Sequence, residues 1–168
     1  MLLCIAGKAV AFHIATFAKS PAMYPHLLQT HSILRYVVLL MLMIVIVRFA
    51  FAKISKRHYN NLDDKLSLFT LITVHLQFLI GLALYLTSPV IKAALADMAA
   101  TMKDDGLRFL AVEHVTLMVI AVILITVGRI KARKKELHSD EKFRRTLIFY
   151  AIGLVLIVAG IPWEKLFP

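Results

Sequence analysis

Cysteine is almost missing from this chain: Cys4 is the single one in 168 residues. That excludes an internal disulfide and any cysteine-based zinc or iron–sulfur site, because each needs several thiols. The short signatures of hydrolytic and phosphate chemistry are also lacking. There is no Ser/His/Asp arrangement, no H-E-x-x-H and no glycine-rich phosphate loop. No low-complexity tract occurs, and no repeat makes one half of the chain a copy of the other. Acidic side chains are few, 10 against 20 basic ones, giving a net charge of +10.

What is present is apolar. Hydrophobic residues make up 60% of the chain, and mean hydropathy is +0.79. A soluble domain sits nearer half apolar and carries more charge. The basic excess falls in connections between apolar runs, which suits the positive-inside rule and anionic headgroups; no nucleic acid is implied.

Four runs are long enough to be membrane spans, about 33–52, 66–87, 107–128 and 146–161. The expected fold class is therefore all-α: an integral membrane four-helix bundle formed by residues 23–168. The first connection holds Lys53, Lys56, Arg57 and Lys65, and the third holds Arg129, Lys131, Arg133, Lys134, Lys135, Lys142, Arg144 and Arg145. The middle one has Lys92 and Lys103 balanced by Asp97, Asp104 and Asp105. Positive-inside counting puts both termini on the outer side of a bacterial cytoplasmic (inner) membrane. Pro89 to Met102 reads as a short helix on the outer surface. Trp163 suits a membrane–water interface. Residues 1–22 are broken by Lys8, His13 and Lys19. They read as a signal-like segment, an interfacial helix, or residues upstream of a true start at Met23.

Intramembrane ionisable groups are expensive and usually face a partner or a cavity. The third run carries Glu113 and His114 side by side; His75 lies in the second, and His31 and Arg35 near the mouth of the first. Neutral imidazole ligates haem iron, and helix bundles hold cofactors between facing helices. No C-x-x-C-H is present, so a haem here would be non-covalent haem b. Counted from Lys65 and Arg129 as the inner ends, His75 lies about 15 Å deep and His114 about 22 Å. His31, counted from Lys53, lies about 33 Å up. His75 with His114 is the closest pair by this count, and Met118, nearly level with His75, offers a His/Met variant. Plain core filling is the ordinary role of such a methionine. Arg35 has two candidate partners, a haem propionate or Glu113 in a structural ion pair. Gly153 and Gly160 share a face of the last run, which suggests close packing there.

The stretches THSILRY (Thr30–Tyr36), FTLITVHLQFLIGLALYLTSP (Phe69–Pro89), LRFLAVEHVTLMVIAVILITVGR (Leu107–Arg129) and IPW (Ile161–Trp163) carry a resemblance. From Met23 onward the chain resembles a small bacterial family of four-helix membrane proteins described as cytochrome b-like. The resemblance implies haem b binding and membrane electron transfer with a quinone or a partner redox subunit. It also implies His75 and His114 as ligands, with His31 a replacement for either.

Two other readings stand beside it. One is a cofactor-free membrane subunit or assembly factor whose His31, Arg35, Glu113 and His114 form a structural plug. The other is a proton-coupled transport component using the same Glu and His; four spans without an inverted repeat suit this only in an oligomer.

Overall fold

The computed structural model describes residues 23–134 and 136–163, so the segment 1–22, read from sequence as an N-terminal extension, lies outside the described residues. Among these residues the structure is helical throughout, with no strand. The first helix, α1, spans Met23–Ile54, beginning about ten residues before the run read from sequence. At 1.5 Å per residue it is about 48 Å long, more than the roughly 30 Å of hydrocarbon. Its core residues Val38, Leu42, Val45, Phe49 and Ala52 recur at steps of three and four, which puts them on one face.

A turn carrying Lys56 at φ 51° reverses the chain into α2, Asn61–Thr87. Asn60 caps that helix with a reciprocal box. Its side chain accepts from the Asp63 N–H, and the Asp63 carboxylate accepts from the Asn60 N–H, both at 3.0 Å. Ser88 then ends one helix and starts the next. Its N–H reaches the Leu84 carbonyl, its hydroxyl accepts from the Ile91 N–H, and Pro89 fills the first turn of α3, Pro89–Ala96.

The connection expected as one surface helix is broken at Asp97, which caps the short α4, Met98–Thr101. It is also tied to the bundle rather than resting outside it, since Ile91 and Ala94 are buried against Ala111. A last short helix, α5 (Asp105–Arg108), runs through a π-helical turn, Phe109–Glu113, into α6, His114–Ala132. The chain closes with α7, Ser139–Ala159.

Helices α6 and α7 approach closely through glycine. A Cβ on Gly153 would stand 2.7 Å from Ile125, and one on Gly128 or Gly160 would overlap Phe149 or Met118 outright. Phe49, Tyr59 and Phe143 stack edge-on and tilted with ring centroids 5.1–6.0 Å apart and close the basic end of the core. Large apolar side chains face outward all round; Phe51, Leu86 and Val155 are each more than 60% exposed. Among the described residues, three helical segments are long and apolar enough to cross a membrane: Tyr24–Ile54, Asn61–Thr87 and Asp105–Ala132. The run expected at 146–161 forms most of α7, which lies against α6 and α1.

Candidate functional site

Ion pairs at the basic end give the helices a common level. Asp63, fully buried, takes Arg48 at 2.9 Å and Arg57 at 2.8 Å on one carboxylate oxygen. That hydrogen bond raises the Arg57 guanidinium above its ordinary range. The neighbouring Asp64 takes Arg129 at 3.1 Å; Arg129 is 3% exposed and also bonds the Ser67 hydroxyl. Tyr150 donates to the Ser67 carbonyl at 3.0 Å. Burial pushes the nearby Tyr59 phenol up. Sequence reasoning missed this knot. Its signal is that Asp63 and Asp64 are the acidic pair of an otherwise basic connection.

Measured from that level, His31 stands about 26 Å along α1 and His114 about 23 Å along α6, whereas His75 stands only about 17 Å along α2. The count from sequence misleads on α1, because the residue level with Asp63 is Arg48, five positions before Lys53, which lowers His31 by about 7.5 Å. The structure therefore brings together His31 and His114, with ring centroids 6.4 Å apart and ring planes at 74°. It does not bring His75 to His114. The His75 Nδ1 lies 2.9 Å from the Leu71 carbonyl and its Nε2 lies 3.4 Å from the Thr126 hydroxyl, an ordinary contact between α2 and α6.

His31 and His114 open into a cavity of about 510 Å³ between α1, α2, α3 and α6, with Arg35, Gln77, Gly81 and Met118 among its walls. The Nδ1 of His114 lies 2.6 Å from the Gly160 carbonyl, so this nitrogen carries a proton, and in the neutral ring the lone pair is on Nε2. On the other wall the ring of His31 rests on Gly81, where a Cβ would stand 2.9 Å from its Cε1. Gln77 donates to the His31 carbonyl at 2.9 Å and its amide nitrogen lies 3.4 Å from His31 Nε2.

Three buried polar atoms of these walls have no partner: His31 Nδ1, Arg35 Nε and Gln77 Oε1. Buried polar atoms are paired in about nine cases of ten or more. Three orphans on one cavity mark a place where a polar group from outside the chain fits.

The π-turn sets the aim of His114. It inserts one residue, which rotates the rest of the helix by about 100°. The His114 N–H closes the turn on the Phe109 carbonyl, and the Tyr85 hydroxyl donates to the Ala111 carbonyl at 2.9 Å. The same wide turn puts Arg108 beside Glu113, 2.8 Å away, so Glu113 pairs with Arg108 and not with Arg35. Arg35 meets no carboxylate among the described residues; it donates to the Tyr36 hydroxyl at 3.2 Å and stacks on that ring. Sequence reasoning also missed Gly81, Tyr85 and the π-turn, because periodic apolar spacing gives no sign of an inserted residue. Among the described residues no group of three or more His, Cys, Asp or Glu could hold a metal ion. Comparison with family models, with curated proteins and with solved structures finds no match for this chain.

Proposed function

We propose that the chain is a membrane b-type haem protein, its haem b held in the cavity between His31 and His114. The observation that carries this reading is the spacing of the two rings. With metal–nitrogen bonds of about 2 Å and each ring nitrogen about 1.1 Å from its ring centre, two imidazoles that shared one iron would stand up to about 6.2 Å apart. The observed separation is 6.4 Å. Two imidazoles would be too few for a bare ion, and His31 and His114 would be the two side chains to hold a haem iron.

The residues fit the group in other ways. His114 is fixed in one tautomer by the Gly160 carbonyl, the usual way a protein orients a ligating imidazole. His31 keeps Nδ1 free, and the missing side chain of Gly81 gives its ring a seat. Arg35, with an unpartnered Nε and no carboxylate among the described residues, suits a propionate. Met118 lines the wall as an apolar neighbour, and His75 belongs to the helix contact below. A cofactor-free structural plug would satisfy its own polar atoms, and this cavity leaves three without partners. A bound haem b supplies a one-electron couple, so the activity proposed is electron transfer with a quinone or a partner redox subunit.

In the same reading α7 is a fourth span and both termini face outward from a bacterial cytoplasmic membrane. The basic connections around Arg57 and Arg133, which fall at the end knotted by Asp63 and Asp64, support that orientation. The resemblance to cytochrome b-like membrane proteins agrees with it. The test is a pyridine haemochrome assay on protein purified from haem-replete cells. About one b haem per chain is expected, and a colourless, folded protein would sink the proposal.

A further inference from the structure

A second region sits on the opposite, basic half of α1 and is unrelated to the haem cavity. Met43, Ile44, Val47 and Phe51 form an outward apolar strip there, bounded by Arg48 and Arg57. The side chains of both arginines are about one-third exposed, at 34% and 33%. Both spend a donor on the same buried oxygen of Asp63, so two guanidiniums share one carboxylate and the cluster keeps an excess positive charge. Arg48 reaches Asp63 through Nε alone, which leaves its two terminal nitrogens without a protein partner among the described residues. The guanidinium of Arg57 is also drawn inward, 5.4 Å from the Phe143 ring centre, so the pair is held in place rather than swinging freely.

Arg48 lies six residues inside the end of α1, about 9 Å by helix rise. That is where a helix passes from acyl chains to headgroups, and arginine there turns its head toward phosphate. A phosphate on the two arginines places the lipid tails along the strip, where Phe51 is 67% exposed.

We propose that this strip, with Arg48 and Arg57 at its head, is a site for one anionic phospholipid of the leaflet at the basic end. The charge excess selects an anionic headgroup over a zwitterionic one, and the apolar strip selects a diacyl lipid over free phosphate. The proposal rests on the three apolar helices crossing a membrane and is independent of haem.

Native mass spectrometry of delipidated protein in mild detergent tests it, with dioleoyl phosphatidylglycerol, dioleoyl phosphatidylcholine and glycerol phosphate as probes. One phosphatidylglycerol is expected to bind about five- to tenfold more tightly than phosphatidylcholine, from about one arginine's worth of headgroup attraction. Glycerol phosphate at the same concentration is expected not to bind. Arg48→Gln should abolish the preference. Because Arg48 also steadies Asp63, Val47→Trp serves as a second variant that leaves the ion pairs alone and blocks the strip; it should lower the occupancy of both lipids. Arg144→Gln, at the same end but away from the strip, should change nothing. Equal binding of the two lipids, equal binding of glycerol phosphate, or a loss in Arg144→Gln matching that in Arg48→Gln would each overturn the site.

Discussion

Adding one methyl group at Gly81 separates the stability of the fold from the function of the cavity. A Cβ there would stand 2.9 Å from Cε1 of His31, and ordinary contact begins at 3.4 Å, so the ring must retreat by at least about 0.5 Å. The obstructing atom is the far end of a side chain, which can swing, so the fold loses little. Replacing glycine by alanine within a helix is itself favourable by about 0.5–1 kcal/mol. Gly81→Ala is therefore expected to melt within about 1 kcal/mol of the parent, or slightly above it. Ligation is far less tolerant, because metal–ligand distances hold to about 0.2 Å. A retreat of His31 by about 0.5 Å should weaken haem by about 1–3 kcal/mol, the range of overpacking costs, or about five- to 150-fold in Kd. The assay is titration of apo-protein with haem, followed by absorbance, beside thermal unfolding of the same sample. Unchanged haem affinity in a folded Gly81→Ala protein would refute the assignment of His31 as a ligand. An affinity loss that merely tracks a lost fold would refute the steric argument.

Other outcomes rest on the same geometry. Tyr85→Phe removes the hydroxyl that satisfies Ala111 in the π-turn; it should cost about 1 kcal/mol in urea unfolding and lower haem affinity more than Leu86→Ala on the outward face. Asp63→Asn strips the charge that pairs two arginines. It should cost about 2–3 kcal/mol by denaturation in detergent, below the full penalty of a buried pair because both arginines are partly exposed. His75→Ala should retain the haem spectrum of the parent while losing about 1 kcal/mol of stability with its Leu71 and Thr126 contacts.

Much of the fold is legible because outward-facing and buried positions are both apolar, so the long helices announce themselves as runs. Their ends are less so: Met23–Gln29 extends α1 beyond its apolar run, and only tertiary contact there, such as Tyr24 on Ser88, shows that it stays helical. The set of residues around the cavity was legible in part. His31, Arg35, His114 and Met118 stand out as polar or soft groups in apolar runs, and the structure lines one cavity with all of them. Their pairing was not legible, because it depends on helix register. Lys53 looks like the inner end of the first run, yet Arg48, five positions earlier, is the residue that meets Asp63, which lowers His31 by about 7.5 Å into line with His114 and leaves His75 below the cavity. The π-turn compounds this: it rotates Glu113 onto Arg108, a contact five residues apart that regular helical spacing does not offer.

The identity of the axial ligands is read most directly by electron paramagnetic resonance of the oxidised, haem-loaded protein and its histidine variants. The parent and His75→Ala are expected to give the same low-spin, two-imidazole signal, while His31→Ala and His114→Ala turn high-spin or lose haem. A signal that survives in His31→Ala and vanishes in His75→Ala would contradict the account.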